Sequence, residues 1–385
     1  MVATPVFDDD GGKLSVRALA LVTDAFGGHG GIAKFNRDFL AALAGYPGAS
    51  QIVAIPRLMP HPPGELPGKL VQLSAGLGGK AAFVKAVLAS LWADRHFDLV
   101  VCGHIHLMPV AYLAKIITGA PLLLVTHGIE AWQPSASRVA NFWVGQASAF
   151  ISVSELSRQR FMAWSGLPEK DSFILPNCFQ PGAFKPGAKP GYLLERYGLA
   201  GKTVLMTFGR LASQERAKGF DEVLELLPSL AEEIPDVAYL IVGDGDDKGR
   251  LEEKARRLGI AQRVVFSGFV PESEKADHYR LADAYVMPSR GEGFGIVYLE
   301  AMACGIPAVG SLADGSREAL RDGLLGILVD PSDPSDIRRG IREALSRPKR
   351  VPEGLDYFTV KNFQARVRGI IAALLVSGRK PAGAP

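Results

Sequence analysis

The strongest constraint on how this chain folds is the alternation of short apolar runs with helical patterns along nearly its whole length. Residues 16–23 and 121–127 are almost continuously apolar, whereas residues 33–44 repeat with a helical period. Apolar strands separated by helices indicate a parallel sheet that is covered on both faces. The strands predicted for the first half are 16–23, 51–55, 98–103, 121–127, 149–154 and 172–177.

The alternation restarts after a connector at 175–191 that is rich in proline and glycine. A length of 385 residues also indicates two domains. We therefore predict an α/β fold of two Rossmann-like, doubly wound domains facing each other across a cleft, with ligands at the carboxyl ends of the strands. The predicted domains are 1–182, of which 1–12 are disordered, then 183–358, and finally 359–385, a last helix with a disordered tail.

Composition excludes several classes of protein. The formal net charge of +3 is too small and too scattered for a nucleic-acid binder. Three cysteines far apart form neither a disulfide framework nor a metal knuckle, and they indicate a reducing compartment. Residues 1–12 lack the apolar core of a signal peptide, and no run of about 18 apolar residues is present, so we expect a cytoplasmic protein without a membrane span.

A first candidate site follows the strand predicted at 203–210. Arg210 ends that strand, and Lys218 comes eight residues later, at the entry to a predicted helix. Two cations beside a helix N-terminus favour an anion, most naturally a phosphate. The alternative is that both are solvated loop cations.

The sequence EGFGIVYLE, residues 292–300, also leaves a strand and enters a helix. Gly293 and Gly295 allow a ligand to approach the backbone closely, and the free N–H groups at the helix start suit phosphate. Glu300 lies among apolar residues of the helix, where a carboxylate suits the two hydroxyls of a ribose. Glu292 precedes the helix and can face a second polar ligand. The alternatives are a helix ion pair for Glu300 and a loop acid near the helix dipole for Glu292.

Weaker signals lie elsewhere in the chain. Four glycines within 27–31 precede a helix and favour close approach of a ligand, although a simple strand-to-helix turn also explains them. His127 lies at the mouth of a predicted strand, whereas the two histidines of 103–106 lack a third metal ligand, so we predict no metal site. The turn at 242–247 is not a full GxGxxG fingerprint and does not support a nicotinamide cofactor.

Together these stretches resemble glycosyltransferase family 4, the retaining, nucleotide-sugar-dependent enzymes of the GT-B fold. The Glu-x7-Glu of EGFGIVYLE is the most specific part, and GRL, KGF, LPN, the glycine-rich loop and the HG at 127–128 accompany it. The resemblance covers nearly the whole chain, and a weaker one points to bacterial enzymes that extend polysaccharides or lipid-linked sugars. ASQERAKG departs from the shortest family versions by placing Lys218 a few residues later.

The resemblance implies a role for each motif. Arg210 and Lys218 would hold the diphosphate, Glu292 would contact the donor sugar, and Glu300 would contact the ribose. The final helix would cross back to the first domain. The implied catalytic residues are Arg210, Lys218, Glu292 and His127; the donor-binding residues are Glu300, Phe294, Gly295, Ile296, Gly30, Gly31, Val270 and Gly243; and the candidate acceptor contact is Glu130.

The implied reaction moves a hexosyl group, with retention, from a UDP- or GDP-sugar to a saccharide or polyprenyl-diphosphate-linked acceptor in exopolysaccharide or glycan assembly. Cations and helix N–H groups would stabilise the leaving diphosphate without a metal or other cofactor. The departing phosphate would take the acceptor proton. Two alternatives stay open: a sugar-nucleotide epimerase or hydrolase on the same fold, and a non-catalytic module that binds nucleotide sugars.

Peripheral attachment to an anionic membrane surface, at the inner face of the cytoplasmic membrane, is a further prediction. Residues 13–180 carry 14 Lys and Arg against 9 Asp and Glu, a net charge of +5. A basic amphipathic helix is predicted at 79–97, and such a helix can lie in a lipid interface unless its apolar face packs on the sheet. Its apolar face would contain Val84, Val87, Leu88 and Leu91, with Lys80 and Lys85 near its start and Trp92 near its end.

Overall fold

The computed structural model describes residues 15–377, which divide into two compact units. The first unit runs up to Cys178 and resumes at Val360, and the second is Phe179–Thr359. The segments predicted to be disordered, 1–12 and the tail after the final helix, lie outside the described residues. Each unit has its own apolar core between a sheet and its helices.

The first unit contains a seven-stranded parallel sheet within its described residues. The strands are β1 (Val16–Val22), β2 (Ala49–Pro56), β3 (Leu70–Gln72), β4 (Leu99–Cys102), β5 (Leu122–Thr126), β6 (Ala149–Ser152) and β7 (Ser172–Ile174). The helices are α1 (Gly30–Ala44), α2 (Lys80–Ala93), α3 (Met108–Thr118), α4 (Arg138–Val144) and α5 (Glu155–Ser165). The strand order β3-β2-β1-β4-β5-β6-β7 reverses between β1 and β4, and doubly wound sheets bind their ligands at the carboxyl ends of strands at such a reversal.

The second unit repeats this plan with a six-stranded parallel sheet of order β10-β9-β8-β11-β12-β13. The strands are β8 (Thr203–Phe208), β9 (Val237–Val242), β10 (Val264–Phe266), β11 (Ala284–Val286), β12 (Ala308–Ser311) and β13 (Ile327–Val329). The helices are α6 (Gly191–Tyr197), α7 (Phe220–Glu233), α8 (Lys248–Arg257), α9 (Glu272–Leu281), α10 (Ile296–Ala303), α11 (Ser316–Ala319) and α12 (Pro334–Ser346). The order reverses between β8 and β11, so the strands that precede Arg210 and Glu292 are neighbours.

The two predicted doubly wound parallel sheets are confirmed, and one strand was missed. All residues of β4, β5 and β6 are buried, which explains their continuous apolar runs. The missed strand is β3, which has three residues and follows the proline-rich segment 56–68. So short a strand carries no recognisable period.

The prediction that α2 has a single apolar face is wrong. Val87 and Leu91 are buried against the core, together with Phe83. Leu88 and Trp92 lie on the other side of the helix and are exposed by 42% and 85%. The helix therefore packs one apolar strip on the unit and leaves a second, containing Val84, Leu88 and Trp92, at the surface. Among residues 15–377, no helix combines the length and apolarity that crossing a membrane requires.

The final helix, α13 (Val360–Ser377), packs on the first unit although it follows the second in sequence. Its Phe363 is fully buried, and the ring meets that of Phe35 in α1 edge to face, with centroids 5.7 Å apart. Burial of a phenyl ring in such a contact stabilises the unit that receives it.

We predict that Phe363→Ala destabilises the first unit by about 3–5 kcal/mol, because it removes a buried ring and leaves a cavity. All four tryptophans lie in this unit, so their fluorescence during urea unfolding reports on it alone. The matched control is Val376→Ala on the same helix, where the side chain is 62% exposed and the cost should be about 0.5 kcal/mol or less. Equal midpoints for the two variants would show that α13 does not stabilise this unit.

Candidate active site

The loop between β8 and α7 carries the two predicted phosphate-binding cations. It ends at Gly219, whose φ of 87° lies in the left-handed region and whose Cβ position would fall 2.7 Å from the Pro288 ring. Only glycine fits that conformation and that approach, so the turn sets the position of Lys218 immediately before it. Arg210 is the second residue after β8, and its side chain is 69% exposed.

Two carboxylates accompany these cations. The Nζ of Lys218 lies 3.2 Å from an oxygen of Glu292 and 4.0 Å from an oxygen of Glu215. The second oxygen of Glu215 pairs with the Arg210 guanidinium. The charge of Glu292 raises the pKa of Lys218 despite its burial, so the ammonium keeps its charge. The structure thus brings Arg210, Lys218 and Glu292 into one network, in which Glu215 bridges the two cations.

The main chain at Glu292 is held by a buried carboxylate, Asp314. One Asp314 oxygen accepts from the backbone N–H of Glu292 at 2.8 Å and from the hydroxyl of Ser289 at 2.6 Å. The other oxygen accepts from the hydroxyl and the backbone N–H of Ser316, at 2.6 Å and 3.0 Å. Asp314 is 2% exposed, and burial raises the pKa of its carboxyl. These bonds join the loop before α10 to the loop before α11.

The helix α10 begins directly after Gly295, as predicted. Gly295 has a φ of 89°, and the amide groups of the first turn follow it. The side chain of Phe294 is buried against Phe358, so only the backbone of this segment is available to a ligand. Ile296 opens the helix, which places its amide among the unpaired N–H groups that attract anions.

Glu300 is fully buried in α10 and has two partners on α9. One oxygen lies 2.8 Å from Lys275 Nζ, and the other accepts from the hydroxyl of Tyr279 at 2.8 Å. A carboxylate offers about four acceptor positions, so these two bonds leave two positions unfilled. The ion pair anticipated as an alternative exists, but it joins two helices and does not exclude the donor contact.

The two turns that carry Gly243 and Val270, both implied donor-binding residues, are adjacent. Gly243 and Gly268 form an antiparallel bridge with a 3.2 Å hydrogen bond from the Gly243 N–H. Gly243 has a φ of 138°, and a Cβ there would lie 1.9 Å from the carbonyl oxygen of Gly209. Val270 follows two residues after the bridge and is 9% exposed. The glycines are therefore needed for backbone packing whatever binds beside them.

In the first unit, the glycine-rich loop divides into two parts. A Cβ at Gly27 would lie 2.2 Å from the His61 carbonyl oxygen, and one at Gly28 would lie 2.8 Å from a carboxylate oxygen of Asp24. Packing within the unit thus explains these two glycines. A Cβ at Gly30 or Gly31 would meet nothing within 4 Å, so the start of α1 is open to a ligand.

His127, at the end of β5, is positioned as a hydrogen-bond acceptor. Its Nε2 lies 2.9 Å from the carbonyl oxygen of Gly103, which can only accept, so this nitrogen carries the proton. Burial lowers the pKa of the ring to about 4, so the ring is neutral at neutral pH. The other nitrogen, Nδ1, is buried and has no partner among residues 15–377. A substrate hydroxyl could donate to it.

Glu130 and the pair His104 and His106 have local partners. An oxygen of Glu130 accepts from the backbone N–H of His127, and burial raises the pKa of its carboxyl. The Nδ1 of His104 accepts from the backbone N–H of His106 at 3.1 Å. No cluster of three His, Cys, Asp or Glu side chains suited to a metal is found between residues 15 and 377. An acceptor contact by Glu130 stays a prediction.

Four residues of this neighbourhood were not singled out from the sequence. Glu215, Lys275, Tyr279 and Asp314 all act on predicted residues, and Asp314 lies 22 positions beyond the Glu292 that it holds. Nothing in the sequence around Asp314 or Lys275 marks such a contact, because folding alone brings these segments together. Glu215 lies between Arg210 and Lys218, and its charge beside two cations was a usable signal.

Two family models match the chain in succession. The model of Glycosyltransferase Family 4 matches residues 29–181, and that of Glycosyl transferases group 1 matches residues 197–354. Apart from residues 179–181, the first match lies in the first unit, and the second match lies in the second unit; together they span most of the described residues.

Similar proteins agree with these matches. The chain is 34% identical over 284 residues to a GDP-mannose-dependent alpha-(1-6)-phosphatidylinositol monomannoside mannosyltransferase of Mycolicibacterium smegmatis, covering 70% of this chain and 73% of that protein. It is 27% identical over 328 residues to a D-inositol 3-phosphate glycosyltransferase of Geodermatophilus obscurus, covering 79% and 72%. The crystal structure of Anabaena HepE with UDP and glucose superimposes with a TM-score of 0.72 at 21% identity, covering 93% of this chain and all of that one.

The HepE likeness shows the fold and, with the two parallel sheets, confirms the predicted GT-B class. The mannosyltransferase likeness is close enough, and covers enough of both chains, to show the family. The chain therefore belongs to glycosyltransferase family 4 and is a glycosyltransferase.

Proposed function

We propose that this glycosyltransferase moves a hexosyl group, with retention at the anomeric carbon, from a nucleoside-diphosphate sugar to a saccharide or lipid-linked acceptor. The observation that carries the proposal is the network of Arg210, Lys218 and Glu292 beside the start of α10. Fixed cations and helix N–H groups next to one carboxylate suit a diphosphate attached to a sugar. GDP-mannose is the first donor to test, because the mycobacterial relative uses it.

Each of the candidate site residues has a chemical role in the proposal. Arg210 and Lys218 stabilise the charge that develops on the leaving diphosphate, together with the amides that follow Gly295. Glu292 accepts from hydroxyls of the donor sugar, and Glu300 accepts from the ribose hydroxyls. His127 offers its free nitrogen to a hydroxyl of the sugar. The departing phosphate takes the proton of the acceptor hydroxyl, so no carboxylate acts as a nucleophile.

Donor and stereochemistry are tested separately. A panel of GDP-, UDP- and ADP-sugars screened by thermal shift identifies the donor, because a ligand that binds only the native state raises the melting temperature. The anomeric configuration of the product, read by NMR against that of the donor, tests retention. An inverted product would contradict the retaining mechanism, and release of free sugar with no transfer to any acceptor would favour a hydrolase.

We predict that Glu300→Ala weakens binding of the bare nucleoside diphosphate, since the ribose contact is present in that product. Glu292→Ala should instead lower turnover and leave bare nucleotide binding near that of the wild type. Titration calorimetry with GDP and UDP measures the first effect, and initial rates measure the second. Tyr279→Phe is the matched control, because it removes one partner of Glu300 and keeps the carboxylate. If both glutamate variants bind the nucleotide normally, the role given to Glu300 is wrong.

The second prediction concerns the bridging carboxylate. Glu215→Gln should lower the Kd for the nucleoside diphosphate roughly two- to five-fold, because a negative charge that competes with phosphate for Arg210 and Lys218 is removed. Arg210→Ala should instead weaken binding of the nucleoside diphosphate. It should also lower kcat/KM, with a loss of about 2–4 kcal/mol in transition-state stabilisation. Glu253→Gln, at an exposed ion pair with Arg256, is the control for a lost charge. Weaker binding by Glu215→Gln would show that this carboxylate helps to bind the donor.

We further propose peripheral binding to an anionic membrane through the first unit. The exposed strip Val84, Leu88 and Trp92 on α2 is flanked by Lys80 and Lys85. The adjoining helices α3 and α4 expose further large apolar side chains: Leu113, Ile116, Val139 and Phe142. Apolar side chains next to lysines suit a lipid interface, where each cation adds about 1 kcal/mol near an anionic surface.

We predict that the protein co-sediments with anionic liposomes at low salt and less at high salt. Lys80→Glu combined with Lys85→Glu should reduce this binding without unfolding the protein. The matched control is Lys170→Glu combined with Lys202→Glu, which makes the same charge change at exposed positions elsewhere. No binding of the wild type at low salt would overturn the proposal and favour a soluble acceptor.

A further inference from the structure

The carboxyl edge of the first sheet brings together residues from four neighbouring strands, β2, β1, β4 and β5. Val22 pairs with Pro56 on one side of β1, and Leu21 pairs with Cys102 on the other. Arg57 follows the end of β2, and His104 follows the end of β4. These two residues therefore lie on either side of the end of β1. Hydrogen bonds from Arg57 N–H to the Thr23 carbonyl, 3.1 Å, and from Gly103 N–H to the Leu21 carbonyl, 2.8 Å, extend the pairing past the strands.

Arg57 is half-buried at this edge, and its guanidinium has no hydrogen bond or ion pair within residues 15–377. Two other partly buried arginines of the unit have carboxylate partners: Arg17 pairs with Asp94, and Arg158 pairs with Glu155. A partly desolvated guanidinium with five N–H donors favours an anion that can accept several of them, and phosphate does so well.

His104 provides a donor near the same cation. Its Nδ1 accepts the backbone N–H of His106, so the neutral ring carries its proton on Nε2. Burial lowers the pKa of His104 to about 4, and the nearby charge of Arg57 acts in the same direction. The ring of His106 is exposed, with its centroid 4.9 Å from that of His104. One fixed cation and two imidazoles thus occupy this edge.

Two carboxyl groups also lie at this edge, and neither pairs with Arg57 in the described chain. An oxygen of Asp24 accepts from the hydroxyl of Thr23 at 3.1 Å, and burial raises the pKa of this carboxyl. Glu130 accepts the backbone N–H of His127. The positive charge of Arg57 is therefore available to an external anion.

We propose that Arg57, with His104 and His106, forms a subsite for a phosphate group of the acceptor, either a monoester or a phosphodiester next to the polyol that receives the sugar. The subsite rests on the proposed function, because it requires an acceptor bound by the first unit. Both relatives described above are named for a molecule that contains such a group: phosphatidylinositol monomannoside in one case and inositol 3-phosphate in the other. The free nitrogen of His127 lies one strand further along the same edge.

The test measures acceptor binding in the full chain with the donor phosphate site filled by saturating nucleoside diphosphate. The probes are D-myo-inositol 1-phosphate in solution, phosphatidylinositol in otherwise neutral vesicles, and free myo-inositol. Binding of a phosphorylated probe should exceed binding of free inositol, and the first two probes distinguish a soluble phosphate from a lipid headgroup. Arg57→Met keeps the apolar stem and should weaken binding of the phosphorylated probe at least about ten-fold. Arg57→Lys should restore part of the lost affinity.

The controls separate this subsite from the proposed function. Arg95→Met, an exposed arginine of the same unit, should bind every probe like the wild type. In turnover assays, Arg57→Met should raise KM for the phosphorylated acceptor with kcat within about two-fold, and nucleoside diphosphate binding should not change. His106→Gln, at an exposed position, should weaken binding of the phosphorylated probe several-fold. Equal binding by Arg57→Met and the wild type, or no preference of the wild type for phosphate, would overturn the subsite. Failure to bind any nucleoside diphosphate would overturn the proposed function instead.

Discussion

The candidate donor site depends on the hydrogen bonds that the buried carboxylate of Asp314 accepts. It accepts four hydrogen bonds: from Ser289 and the backbone N–H of Glu292 in the loop before α10, and two from Ser316 at the start of α11. Burying a carboxylate is costly unless its acceptor positions are filled, so this arrangement permits little variation in the loops around it. A Cβ at Gly315 would lie 2.1 Å from the Gly293 carbonyl oxygen, which shows how closely the two loops approach. Glu292 and the start of α10 take their positions from this contact.

The charges of the candidate donor site are balanced within the protein itself. Lys218, which is largely buried, is paired with Glu292, and Glu215 bridges Lys218 and the exposed Arg210, so each cation has an anionic partner. In the proposed function, a diphosphate would bring negative charge of its own and would interact with both cations, so Glu215 would give up part of its interaction when a donor binds. Such an exchange replaces one anionic partner with another and requires little rearrangement of the cations.

The first unit presents a different chemistry. Its two site histidines are held neutral by burial, and each has its tautomer set by one hydrogen bond: His127 by the Gly103 carbonyl and His104 by the N–H of His106. One therefore offers a bare nitrogen and the other an N–H group, which makes them suited to binding and orienting hydroxyl or phosphate oxygens. The positive charge at this edge comes from the guanidinium of Arg57.

Much of the molecule follows from local sequence. Continuous apolar runs such as 121–127 predicted the buried parallel strands. The alternation of strands and helices begins again after the connector, and this predicted two units. Both signals are local and recur along the chain. The Glu292-x7-Glu300 motif, together with GRL, KGF, LPN, the glycine-rich loop and the HG at 127–128, also indicated the family. Only the tertiary structure decided that Asp314 holds Glu292, that Lys275 and Tyr279 pair with Glu300, and that α2 has a second apolar strip at the surface. The first two contacts join segments that are distant in the chain, and the third depends on which side of a helix meets the core. The spacing of neighbouring residues predicts neither property.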